Sequence, residues 1–126
     1  MKSVNLENIA EIRYYPEDEI IAVIYIQSVI VDDKIVKEVV ESAIELADAE
    51  RFGLLLDTSR VLYVTKEARE LASELEKHRV RALAVVLKNS IHREIFNLFQ
   101  NFTVPPYPTK GFSDFNKAYQ WLKENR

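Results

Sequence analysis

A chain of 126 residues fits a single domain, and its 48% apolar content with no cysteine implies a packed core, not disulfides or thiolate-held zinc. Seventeen basic residues against 20 acidic ones give a net charge of −3, spread along the chain, without the basic surplus or stripe of a nucleic-acid binder. The longest apolar run, Ile20–Ile26, is far too short to cross a bilayer, and the opening MKSVNLENIAE lacks the apolar stretch of a secretion signal, so a cytoplasmic protein is expected.

Ile9–Tyr15 partly alternates in polarity and Glu19–Ile26 is nearly continuous in apolar residues. With the turn residues Pro16-Glu17-Asp18 between them, they predict an antiparallel hairpin. Asp32 or Asp33 can cap a first helix running to about Glu50, whose Ile35, Val36, Val39, Val40, Ala43, Leu46 and Ala47 share one face. Phe52–Asp57 is too short for a helix and reads as a buried strand closed by the turn-forming Asp57-Thr58-Ser59. Thr65 can cap the next helix, Lys66 to His78, with Glu67 in a first turn that favours negative charge and Ala68, Leu71, Ala72 and Leu75 as its buried stripe.

Val80–Leu87 predicts another buried strand. Ser90 can cap the helix after it, Ile91–Phe102, in which Ile91, Ile95, Leu98, Phe99 and Phe102 share one side. The prolines of Val104–Pro108 cannot lie inside a helix. A short edge strand, Thr109–Phe112, and a last helix from Asp114 to about Glu124 complete the order ββαβαβαβα. Such alternation predicts one α/β domain over residues 1–126, with a mostly parallel sheet, an antiparallel first strand and helices packed mainly on one face.

Leu54-Leu55-Leu56-Asp57, the apolar hook Val61, Tyr63 and Val64, and the helix starting near Thr65 together resemble a STAS-type domain, the fold of sporulation anti-anti-sigma factors and of sulfate-transporter tails. The ending PPYPTKGF–D–AYQWLK is similar to that of small, uncharacterised bacterial STAS-like proteins. The resemblance implies a signalling module that works by binding another protein. It fails at the switch, however. Where those factors carry a phosphorylatable hydroxyl at the helix start, this chain reads Thr65-Lys66-Glu67-Ala68, with Glu67 at or beside the acceptor position. A carboxylate supplies one negative charge against about −1.5 to −2 for a phosphate, so Glu67 is at most a weak permanent mimic.

Catalytic signatures are missing. His78 and His92 sit in no metal-ligand motif and are each explained by surface or helix-end positions. Gly53 and Gly111 are too few and too far apart for a phosphate-cradling loop, and there is no nucleophile elbow. The expectation is a non-enzymatic protein-interaction module without cofactor or metal. Ser59, Arg60, Tyr63, Thr65, Lys66 and Glu67 are its predicted partner contacts.

Phe96, Tyr107 and Trp121 fall off the apolar stripes and form an aromatic site or pocket mouth if they converge. That prospect supports an alternative, a small-ligand or lipid carrier with an apolar pocket beneath the helix 91–102. A third expectation is homodimerisation through the N-terminal hairpin edge or the edge strand Thr109–Phe112.

Overall fold

The computed structural model describes residues 1–76, 79–90, 92–94, 96, 97 and 106–126. Eight strands are described: β1 (Lys2–Leu6), β2 (Ala10–Tyr15), β3 (Ile20–Tyr25), β4 (Val29–Val31), β5 (Phe52–Asp57), β6 (Val61–Val64), β7 (Val80–Val86) and β8 (Thr109–Phe112). Three helices accompany them: α1 (Asp33–Leu46) after β4, α2 (Lys66–Glu76) after β6 and α3 (Phe115–Glu124) after β8. Of the helix expected at 91–102, residues 92–94, 96 and 97 are described and helical. Ile91, Ile95, Leu98, Phe99, Phe102 and also His78 lie outside the described residues.

Six strands form the main sheet in the order β1-β2-β3-β5-β7-β8. The pairs β1–β2 and β2–β3 are antiparallel, and β3–β5, β5–β7 and β7–β8 are parallel. Thus the mostly parallel sheet with an antiparallel start is as expected, but an additional strand, β1, occupies the N-terminal edge. Its turn places Glu7 and Asn8 at φ 50° and 61°, and the Ile9 amide donates to the Leu6 carbonyl at 2.8 Å. Two successive left-handed residues are the geometry of a tight hairpin turn, which here lacks the glycine that usually announces it.

Strand alternation divides the core between two faces. Ile12, Tyr14, Ile21, Val23, Phe52 and Leu54 face α1 and α2. Ile20, Ala22, Leu55, Ala82, Ala84 and Val86 face α3, whose Ala118 and Leu122 are fully buried against them. The alanines of β7 leave room for that helix to lie close. The expected packing mainly on one face therefore holds for α1 and α2, while α3 covers the other.

The caps predicted at Asp32 and Thr65 form, and Asp114, the expected first residue of the last helix, caps α3. The Asp32 carboxylate accepts from the Ile35 amide at 2.9 Å, the Thr65 hydroxyl from the Ala68 amide at 3.1 Å, and the Asp114 carboxylate from the Lys117 amide at 3.0 Å. At the helix expected after β7, Asn89 displaces Ser90: its Oδ1 accepts from the His92 amide at 2.9 Å, as an N-cap does for the residue three along. α1 stops at Leu46, short of Glu50, where the Ala47 amide closes the last turn on Ala43 and the backbone turns extended.

Two short strands that periodicity did not predict shape the site. β4 and β6 form a separate two-stranded parallel sheet with Val29 beside Val61, Ile30 beside Tyr63 and Val31 beside Val64. Each runs directly into a helix, β4 into α1 and β6 into α2. The apolar hook expected in a loop is therefore strand β6.

Candidate functional site: an apolar cavity beneath the second helix

α2 makes its main contacts with α1 and few with the sheet. Its apolar stripe is accordingly only partly covered: Ala68 is fully buried, Leu71 and Ala72 are half-buried, and Leu75 is exposed. The space left between this helix and the sheet is a cavity of about 810 Å³. Its floor includes Leu54, Leu83 and Val85 of the sheet, and Val39 of α1 and Ala72 of α2 wall one side. His92, Phe96, Pro106 and Tyr107 also line it. Apolar side chains dominate the lining.

Phe96 is placed by a missing side chain. At Gly111 a Cβ would lie 2.9 Å from Leu87 Cδ1 and 3.2 Å from Phe96 Cε1, so both side chains close over the bare backbone of β8. Phe96 and Tyr107 both line the cavity. Trp121 does not join them. It lies with Phe112 on the α3 side of the sheet, their ring centroids 5.7 Å apart. The off-stripe position of Trp121 reflects that packing, since α3 crosses to the opposite face and carries its aromatic rings with it.

The predicted partner contacts lie on the β5–β6 loop, on β6 and at the start of α2, and of the six Tyr63 lines the cavity. Asp57 accepts from the Ser59 amide at 3.1 Å and from its hydroxyl at 2.6 Å, which fixes the loop as an Asx turn. The Thr58 hydroxyl donates to the Val86 carbonyl at 2.8 Å and ties the same loop to β7. Arg60 and Glu67 are exposed, Thr65 is used as the cap, and Lys66 forms an exposed ion pair with Glu70 at 3.9 Å. Tyr63 is 56% exposed and its neighbour Leu62 67% exposed, yet both line the cavity, so they stand at its rim. Leu62 was absent from the predicted set. Its exposure follows from a strand paired on one edge only, which sequence spacing does not reveal.

His92 departs from its expected surface position. It is half-buried, it lines the cavity, and its Nδ1 is shielded from solvent without a hydrogen-bond partner. Among the described residues no group of three or more acidic or histidine side chains could hold a metal ion. None of the described helices is long and apolar enough to cross a membrane.

The sheet order and the two capped crossovers are those of a SpoIIAA-like α/β fold. The chain is similar to an uncharacterised DUF3478-family protein with a SpoIIAA-like fold from Shewanella loihica PV-4, with a TM-score of 0.62 and 18% identity over 90% of this chain and 91% of that one. The chain belongs to the family described as a domain of unknown function, DUF7793, whose family model matches residues 14–126. No curated protein matches it.

Proposed function

We propose that this chain is a non-enzymatic binding module that holds an apolar small molecule, of the lipid acyl-chain kind, between α2 and the sheet. The observation that carries this reading is the cavity itself. Its volume falls within the roughly 300–1,000 Å³ of ligand sites, and its lining is apolar with few polar groups, as such sites are. A partly open apolar space of this size beneath an under-covered helix suits an occupant. Titration with a fluorescent polyene fatty acid tests the proposal. The expected result is saturable enhancement in the native chain and its loss in Ala72→Phe, which fills the cavity from α2. Equal binding by both chains would contradict it.

A second reading has its own observation. Ile30 is 54% exposed and pairs with Tyr63 across the β4–β6 sheet, with Leu62 beside it. Exposed apolar side chains grouped in this way suit a protein partner. For that reading, Tyr63 and Lys66 replaced together by alanine should impair capture of a verified partner and leave the fold intact, and unchanged capture would count against it.

A further inference from the structure

The polar groups around the cavity are not all alike. The Thr58 hydroxyl already donates to the Val86 carbonyl at 2.8 Å, and the Thr109 hydroxyl to the Tyr107 carbonyl at 3.2 Å. Among the described residues, one buried side-chain nitrogen or oxygen has no partner: Nδ1 of His92. Removing such an atom from water without replacing the lost hydrogen bond is costly, so an orphan of this kind in an otherwise satisfied interior asks for a function. Its side chain borders the cavity, while its backbone amide is held by Asn89 at 2.9 Å at the first turn of its helix.

From this juxtaposition we infer that His92 is the polar anchor of the cavity, and that its ligand is an apolar chain ending in a carboxylic acid or alcohol. The inference rests on the apolar-ligand reading above and deepens it. A neutral imidazole with its proton on Nε2 accepts from a hydroxyl at Nδ1, and a protonated one donates from Nδ1 to a carboxylate. Either way one proton lies between Nδ1 and a ligand oxygen. An ester of the same chain brings no proton and leaves Nδ1 unmet when the neutral imidazole carries its proton on Nε2. The apolar walls then set affinity through chain length, and His92 selects the head group. This division is common in ligand pockets, where a few placed polar groups give orientation and specificity.

Displacement of the dye 1-anilinonaphthalene-8-sulfonate by dodecanoic acid, 1-dodecanol and methyl dodecanoate tests the assignment. In the native chain the acid and the alcohol should displace the dye at roughly tenfold lower concentration than the ester, the size of effect one hydrogen bond of this kind gives. In His92→Leu the three should become equal, at the ester's native potency. Equal potency in the native chain, or a preference that survives in His92→Leu, would overturn the anchor and leave the cavity reading standing. No displacement by any of the three would overturn both.

A second readout needs no variant. The chain has two histidines, so the imidazole ¹⁵N signals are few enough to assign. The Nδ1 resonance of His92 should move with the acid and stay with the ester, and identical responses to the two would also overturn the anchor.

Discussion

The amide of Thr65 donates to the carbonyl of Val31 at 3.0 Å, so the residue that caps α2 is bonded to the residue that ends β4. The same threonine offers its hydroxyl to the Ala68 amide at 3.1 Å. One residue therefore fixes both where α2 starts and how the rim of the cavity is joined to the strand before α1. Replacing Thr65 with alanine keeps the first bond and removes the second. The expected cost is about 1 kcal/mol, the usual value of an N-cap, measured as a shift of the urea midpoint with an unchanged slope. A loss near zero would mean that Thr65 does not cap α2 in solution.

The two sides of the sheet should respond differently to truncation. Leu55 is fully buried between the sheet and α3, so Leu55→Ala should destabilise by about 3 kcal/mol. Leu83 is half-buried and borders the cavity, where it already lacks neighbours on one side, so Leu83→Ala in the unliganded chain should cost about 1 kcal/mol. Equal costs at the two positions would show that the space above Leu83 is filled by protein.

Arg81 stitches the C-terminus of α3 to the turn between β2 and β3. Its guanidinium donates to the carbonyls of Leu122 at 3.0 Å, Asn125 at 2.8 Å and Asp18 at 3.1 Å. Arg81→Met keeps most of the aliphatic volume and removes these bonds. The variant should lose about 2 kcal/mol, and hydrogen exchange should show earlier opening of α3 than of α1. Uniform protection across the two helices would contradict this coupling.

On the α3 side of β2, Arg13 donates to Glu11 at 2.8 Å, and that bond together with the arginine's charge holds the Glu11 carboxyl below its ordinary value of 4.5. A lowered folded value means that this pair's contribution is present above the ordinary carboxylate range. It is lost as pH falls through the lower, folded value. Glu11→Gln should therefore flatten part of the acid limb of stability against pH, without altering the neutral plateau's dependence on pH. The pair is partly exposed, so the change is expected to be small and to shrink further in salt. An unchanged acid limb would rule the pair out as a contributor.

How much of this was legible in the sequence depended on the range of the interaction that decides each feature. Phe52–Asp57 and Val80–Val86 were readable because a strand covered on both faces is apolar almost throughout. Asp32 and Thr65 were readable because a cap acts on an amide three residues away. β4 and β6 were not, since segments of three and four residues carry no period and pair with each other across the length of α1. β1 escaped because its turn is made by Glu7 and Asn8 instead of a glycine pair.

The site divided along the same line. The loop at Ser59 follows from local turn chemistry, whereas the place of Tyr63 at the rim depends on β6 and its pairing with β4. The side on which Trp121 lies follows only from α3 crossing the sheet. The cavity depends on α2 packing against α1 more than on the sheet, a tertiary choice that the stripe Ala68, Leu71, Ala72 and Leu75 does not encode by itself.

The most direct test of an apolar ligand between α2 and the sheet is methyl NMR on ¹³C-labelled leucine and valine side chains during addition of decanoic acid. The account predicts saturable shifts at Leu54, Leu83 and Val85, with Leu55 and Leu122 on the α3 side unmoved. Silence throughout, or shifts confined to Leu55 and Leu122, would contradict it.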